Sequence, residues 1–578
     1  MNVTAEHFVT RFRTWVDSRP DHPAVVFAAE HGEGGVSGPV LTYRELDRRA
    51  TAFASGLVRA ELTGSRVLLL YPPGPEFTVA ILGCFLAGVV AVPAPMPESG
   101  GRGDARLAGI VADAAVTQVL TSPQGSDTVR GWLHRCGLAE RVGVLVESDL
   151  DGPAVPLPTP DLAGLAFLQY TSGSTSEPKG VLVTHAALAH NQSEIGRALG
   201  LGSDVRSVSW LPHYHDMGLV GQVLGPLYLG GTAYLMAPMT FLKRPYRWLR
   251  LVSVARAQIT VAPDFGYALV TRRTTDEQLA ELDLSCLRVV MNGSEPIHVT
   301  TLERFAARFA PAGLRAEAIM PCYGMAETTL FVTAAAAGTG FLARDVDAAA
   351  LAADRLVPAT PGRSYRRLVS SGRAVDFDIR IVDPAAGTPL PDAAVGEIWL
   401  SGPSVAAGYL GKPEESAATF RARLPGSTTE YLRTGDLGAL VDGELYVTGR
   451  RKEMLIVNGR NLYPYDIERT IREAHPATAG GSTAVFTVGD DAAPAAIAVQ
   501  EVRPADLRAT DPDELIATVR RAVRAEHELH LATVVLVPTG VIERTTSGKV
   551  RRAATRAAFL ADGLRVLHST AAIPAGAE

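Results

Sequence analysis

The sequence predicts an α/β protein: a large N-terminal domain of doubly wound sheets, a β-rich subdomain, and a small α+β C-terminal domain. Three observations lead there. Short apolar runs alternate with stretches of helical period before about residue 370, the pattern of parallel sheets whose ligands sit at the carboxyl ends of strands. After residue 373, "IRIVD", "GEIWLSG" and "GELYVTG" follow closely with turn residues between them, which marks a β-rich subdomain at 373–449. A basic, glycine-punctuated stretch, "GRRKEMLIVNGRNLYPYDIE" (449–468), then introduces a compact α+β unit.

Taken in order, "LTYRELDRRATAFASGL" opens with Thr42 and Glu45 at capping-box spacing, and Leu46, Ala50, Phe53 and Leu57 recur at helical spacing. "RVLLLY" (66–71) is a buried strand ending at Pro72-Pro73. The uncharged run from Phe77 to Val92 is short of the ~20 residues that span a membrane. It contains Gly83 and Gly88 and stops at Pro93, so it reads as a buried helix entering a core strand. "QVLT" (118–121), "LAFLQY" (165–170), "QITVAP" (258–263) and "LRVVMNG" (287–293) are further strands. Beyond Arg450, "STAVFTV", "AAIAVQEV", a helix near 513–527 and "ATVVLVP" make the small unit. The tail "STAAIPAGAE" (569–578) has the composition of disorder. There are no internal repeats.

Composition narrows the function. The 578 residues are 47% hydrophobic and 20% charged, a globular balance. Fifty-five Lys+Arg against 61 Asp+Glu give −6, which argues against nucleic acid or an anionic membrane as partner. Cys84, Cys136, Cys286 and Cys322 form no CxxC pair, so neither a disulfide framework nor a zinc site is expected. With no signal peptide at the start, a cytoplasmic location is expected.

"YTSGSTSEPKG" (170–180) follows a strand directly. Its glycines let backbone approach an anion, and its hydroxyls, N–H groups and Lys179 supply donors. It reads as a phosphate loop or as a flexible Ser/Gly loop, and it is not the GxxxxGK[ST] loop of common triphosphatases. In "PCYGMAETTL" (321–330), Glu327 is a loop charge, a cap, or a magnesium ligand. In "YLRTGDLG" (431–438), Asp436 is a turn former or an acceptor for ribose hydroxyls. In "RTTSGKVRR" (544–552), Lys549 is a surface charge or a catalytic cation.

In this order these segments resemble the adenylate-forming superfamily of acyl and aryl ligases, luciferases and peptide-synthetase adenylation domains, over nearly the whole chain. The resemblance implies an enzyme that uses ATP and Mg²⁺. A carboxylate attacks the α-phosphate, pyrophosphate leaves, and a thiol takes the acyl group from the adenylate. It implies that Thr171, Ser172, Gly173, Ser174, Thr175 and Lys179 hold the departing pyrophosphate, and that Glu327 holds magnesium. Lys549 would bridge the attacking carboxylate and the α-phosphate. Gly293, Ser294, Glu295, Tyr323 and Met325 match the adenine pocket, and Asp436 and Arg450 the ribose contacts. His215, Met217, Asp264 and Phe265 match the acyl side, with His215 near the carboxylate; a buried core histidine is the other reading of His215. Lys452 matches the hinge of a mobile C-terminal domain at 450–578, following an AMP-binding domain at 1–449.

"LLLYPPGPEF", "FLQYTSGST", "WLPHYHDMGLVG" and "GRNLYPYDIE" are most similar to fatty acyl-AMP ligases, which hand fatty acids to acyl carrier proteins or to carrier domains of polyketide and peptide synthetases. That likeness implies that 340–362 is an insertion packed on the small domain and linked to poor use of coenzyme A. Asp264 and Gly266 stand where the resemblance expects Asn and Ala, and Tyr465 where it expects Gln. A fatty acyl-CoA synthetase shares every catalytic motif. A noncatalytic adenylate-binding homologue is expected to lack Glu327 or Lys549, and both are present. Only 29 residues follow Lys549 in the 578, too few for a carrier domain, so the carrier is expected to act in trans.

Overall fold

The computed structural model describes residues 6–28, 38–98, 100, 101, 103–159, 161–170, 178–457, 460–489, 494–545 and 548–569. Among these, two large sheets form the N-terminal α/β body. One has nine strands, in the order Arg373–Ala374, Phe331–Ala334, Ile319–Gly324, Val289–Asn292, Ile259–Ala262, Arg206–Ser209, Thr232–Leu235, Pro23–Phe27 and Val40–Thr42. The other has six: Gly143–Val146, Gln118–Thr121, Arg66–Leu70, Val90–Ala94, Leu165–Tyr170 and Gly180–Thr184.

The nine-stranded sheet is parallel in the middle and antiparallel at both edges, and the six-stranded sheet is parallel except for its last strand, Gly180–Thr184, so both are mixed rather than purely parallel. Leu165–Tyr170 pairs in parallel with Val90–Ala94, so Tyr170 lies at the carboxyl end of the parallel strands, where the sequence places the start of the 170–180 loop. Leu165–Tyr170 and Gly180–Thr184 form a hairpin, with Tyr170 opposite Gly180. The nine residues between them are fewer than the dozen or so that a parallel crossover needs.

Between the sheets lies the helix Glu76–Ala87, whose residues Phe77–Ala87 are all buried. A helix apolar on every face belongs inside a core. Its Phe77 and Phe85 join Phe8 and Phe53 in a large apolar cluster. Thr42 caps the helix Tyr43–Arg59 by accepting the Glu45 N–H at 3.2 Å. Only half the expected capping box forms, because the Glu45 carboxylate turns to Arg48 at 2.7 Å.

The β-rich part is an antiparallel sheet of Asp378–Val382, Gly396–Ser401, Leu432–Val441 and Glu444–Arg450. Beside it, Ala343–Asp347 and Tyr365–Val369 pair around the short helix Ala348–Ala352. The C-terminal α+β unit has a sheet of Thr483–Val488, Ala495–Val502, Leu531–Pro538 and His568–Ser569. The helices Pro464–Glu473 and Pro512–His527 cover it, burying Ile467, Ile471, Val519 and Val523 against Val534 and Leu536. Ser569, expected in a disordered tail, pairs with Val535; the rest of that tail, 570–578, lies outside the described residues. No helix among the described residues is long and apolar enough to cross a membrane.

Candidate active site

The sheets, the β-rich strands and the C-terminal unit line a cleft of about 2390 Å³. Tyr170 and Lys179, which flank the expected phosphate loop, both reach it. Thr171, Ser172, Gly173, Ser174 and Thr175 lie outside the described residues.

The strand Ile319–Gly324 runs into a 3₁₀ turn, Ala326–Thr328, that presents half-buried Glu327 to the cleft. Thr329 closes the turn at φ 69°, ψ −54°, close to a rare and strained γ-turn. Strain of this kind costs about 1–3 kcal/mol and persists only where neighbours hold it. The Tyr409 hydroxyl donates to Glu327 Oε1 at 2.9 Å, and burial pushes the Glu327 pKa up. The Lys179 ammonium sits 5.4 Å from the centre of the Tyr409 ring and pairs with Glu415.

Asp436 is not in a turn, contrary to the sequence expectation. It lies within the strand Leu432–Val441, directly opposite Arg450. Gly435 (φ 71°) and a register shift before Gly438 give the segment turn-like composition, but hairpin pairing keeps it in the ladder. The buried Asp436 carboxylate accepts the Tyr323 hydroxyl at 2.9 Å and the Arg450 Nε–H at 2.9 Å, which holds Arg450 charged. The Tyr323 hydroxyl also lies 3.9 Å from Met325 Sδ, and both residues line the cleft.

The strand Val289–Asn292 leads to Gly293, where a Cβ would fall 2.7 Å from Cys322 Sγ; only glycine permits this approach. Gly293 lies behind the wall, while Ser294, at φ 73°, and Glu295 face the cleft. Glu295 Oε1 accepts the Phe265 N–H at 2.6 Å, and burial raises the Glu295 pKa.

His215, Asp216 and Met217 enter the cleft just before a π-helix, Met217–Leu224, that no sequence period signals. The His215 ring tilts against Tyr214 at 4.9 Å. Phe265 meets Trp210 edge-on at 5.8 Å, and Trp210 stacks on Phe241 at 3.8 Å, giving this side an aromatic wall. Asp264 is 3% exposed. Its carboxylate accepts from Asn292 Nδ2 (3.1 Å), the His298 N–H (3.1 Å) and Thr301 Oγ1 (2.9 Å), so it faces the 292–298 loop. Burial, and then Glu295, push its pKa up to about 7.

Lys549 reaches the same cleft from the C-terminal unit. Burial and Arg450 lower its pKa, against Asp216, Glu295 and Asp436, which raise it. Lys452 is exposed in a 3₁₀ turn, Arg451–Glu453, where the chain leaves the β-rich sheet. Sequence reading missed Asp216, Tyr409 and Glu415. Asp216 was open to notice beside His215; nothing local marks the other two. Glu327 and Asp216 feel each other's charge, and such oxygen donors suit a hard cation such as Mg²⁺.

Comparison with known proteins gives this architecture its class. Residues 12–410 match the family model "AMP-binding enzyme", and residues 452–569 match "Disco-interacting protein 2-like, AMP domain". The chain belongs to the adenylate-forming enzymes, which activate a carboxylic acid with ATP and release pyrophosphate. It is 40% identical over 551 residues to the medium-chain-fatty-acid–[acyl-carrier-protein] ligase JamA of Moorena producens, covering 92% of this chain and 91% of that one. It is 38% identical over 589 residues to the long-chain-fatty-acid–AMP ligase FadD26 of Mycobacterium marinum, covering 99% and 100%. A solved structure from work on the fatty acyl-adenylate ligases of E. coli and L. pneumophila matches with a TM-score of 0.87 and 33% identity, over 97% of this chain and 98% of that one. Within the superfamily the chain is closely related to the fatty acyl-AMP ligases.

Proposed function

We propose that the protein is a fatty acyl-AMP ligase that loads an acyl carrier protein in trans. A fatty acid carboxylate oxygen attacks the α-phosphorus of ATP and the bond to pyrophosphate breaks. The carrier's phosphopantetheine thiolate then attacks the acyl carbonyl, and AMP leaves.

The residues divide this work by charge and position. A carboxylate approaching a polyanion is repelled, so cations and alignment must lower the barrier. Lys549 bridges the carboxylate and the α-phosphate, and His215 orients the carboxylate. The 171–175 loop and Lys179 hold the leaving pyrophosphate, which requires Lys179 to exchange Glu415 for phosphate. Tyr323, Met325, Ser294 and Glu295 enclose adenine, backed by Gly293, while Asp436 and Arg450 take the ribose. Met217 and Phe265 flank the acyl chain. Glu327, oriented by Tyr409, holds Mg²⁺, which supplies charge neutralisation at the phosphates when bound. Residues 1–449 act as the AMP-binding domain and 450–578 as a lid turning at Lys452.

The observation that supports a carrier acceptor over coenzyme A is the packing of the 340–362 segment and the strand after it. Asn461 Nδ2 donates to both Asp354 carboxylate oxygens at 2.9 Å. Arg366 bonds Glu526 at 3.2 Å and also His527. These contacts tie the lid to the arrangement that makes the adenylate. A carrier protein offsets them with docking energy, whereas coenzyme A has less surface with which to do so. The test is the yield of acyl-AMP, acyl-CoA and acyl-carrier from ATP, Mg²⁺ and a panel of medium-chain, long-chain and aryl acids. Abundant acyl-AMP and acyl-carrier with little acyl-CoA is expected. Efficient acyl-CoA formation would favour the synthetase reading.

A further inference from the structure

Away from the cleft, three side chains stand in the order of a nucleophilic triad. Ser404 Oγ is 2.7 Å from His190 Nδ1, and His190 Nε2 is 2.9 Å from Asp376 Oδ2. Ser404 is fully buried and does not line the cleft, so no substrate reaches its hydroxyl. His190 and Asp376 also form, with Glu194, a group close enough to share a metal ion. There the Arg197 guanidinium already pairs with Glu194 and lies 3.8 Å from Asp376, supplying the positive charge that an ion would bring.

What the chain of bonds does reach is the Glu327 turn. The Ser404 carbonyl accepts Thr329 Oγ1–H at 2.9 Å, at the strained corner that closes the turn. Two residues on, the Ala406 N–H donates to the Glu327 carbonyl at 2.9 Å. From the other side, fully buried Asn191, next to His190 on the helix His185–Leu199, clamps the turn's exit. Its Oδ1 accepts the Phe331 N–H at 3.1 Å, and its Nδ2 donates to the Phe331 and Thr328 carbonyls at 2.9 and 3.3 Å. Asp376, as an ionised carboxylate, only accepts, so Nε2 of a neutral His190 carries the proton and Nδ1 accepts from Ser404.

We propose that His190 is a positioning residue for adenylation: through Ser404 and Thr329 it fixes the direction in which Glu327 presents its carboxylate. This rests on Glu327 being the magnesium ligand. Partners that orient a metal ligand typically change metal affinity or activity about 10–100-fold when removed.

The experiment titrates Mn²⁺ by electron paramagnetic resonance into full-length enzyme bound to α,β-methylene-ATP, and in parallel measures the Mg²⁺ concentration for half-maximal acyl-AMP formation. His190→Ala should weaken Mn²⁺ binding and raise the Mg²⁺ midpoint, each about 10–100-fold, with the KM for fatty acid unchanged. His190→Asn, which can still meet Ser404, should recover most of the loss. Ser404→Ala deletes one buried hydroxyl and should move both readouts the same way, so the test stands if His190→Ala does not fold. In a Glu327→Gln background, His190→Ala should add nothing. Mn²⁺ affinity unchanged in both His190→Ala and Ser404→Ala, or an equal further loss in the Glu327→Gln background, would overturn the proposal. If Glu327→Gln itself leaves Mn²⁺ affinity unchanged, the magnesium role of Glu327 falls, and that result is separate from a failure of His190 alone.

Discussion

Asp264 illustrates what one buried carboxyl does at the residue scale. Its pKa of about 7 stands above the value near 3.9 of an unfolded chain. The folded state therefore holds this proton more tightly than the unfolded state does. The stability it brings is full below pH ~4 and is lost as pH rises through about 7. Asn in its place keeps the acceptor for Asn292 and His298, and the Thr301 hydroxyl can turn to accept. Asp264→Asn should thus melt above the wild type at pH 8, by a margin of up to about 4 kcal/mol, since the shift is about three pKa units at about 1.4 kcal/mol each. The margin should narrow as pH falls and close only below pH ~4. Melting curves from about pH 4 to 8.5 check this, and a margin that ignores pH rejects it. The sequence marked Asp264 as unusual against the resemblance. It did not reveal that the carboxylate supports the 292–298 loop, because those partners lie about thirty residues away along the chain.

Among elements, the strands and helices with a strong period were legible. "QVLT", "LAFLQY" and "AAIAVQEV" form strands with the expected bounds. The π-helix at Met217–Leu224 and the strand through Asp436 were not, since one has no distinct period and the other has the composition of a turn. For the 340–362 segment the resemblance implied an insertion packed on the small domain; its pairing with Tyr365–Val369 and the particular residues that touch the C-terminal unit needed the fold. Those contacts carry a prediction. Asn461→Ala is a cleaner cut than changing Asp354, which sits at φ 58°, where alanine adds strain. Combined with Arg366→Ala, it should raise the acyl-CoA to acyl-AMP ratio about five- to tenfold, because ~1–1.4 kcal/mol shifts a two-state balance that far. Adenylation alone should stay within about twofold, as none of Asp354, Arg366, Asn461, Glu526 and His527 lines the cleft. An unchanged product ratio would leave the segment without a part in acceptor choice.

At the scale of the whole molecule, Lys549 lies in the C-terminal unit but feels Asp216, Glu295 and Asp436 of the N-terminal part, together with Arg450 at the boundary. If the lid turns at Lys452 between half-reactions, Lys549 serves only the first. Lys549→Ala should then slow adenylation about 10²–10³-fold, while transfer from preformed acyl-AMP to a holo carrier protein survives. Equal losses in both half-reactions, measured separately, would remove this assignment. The sequence by itself determined the class of fold, the order of motifs and the residue types offered for catalysis, because periodicity and short motifs encode local burial and local backbone shape. Only the tertiary structure decided that Asp436 joins Tyr323 to Arg450, that Tyr409 reaches Glu327, and that His190 and Asn191 brace the turn beneath it. The physical reason is that a hydrogen bond between residues tens to hundreds of positions apart depends on which chain crossings the packed sheets permit, and no local spacing records that choice.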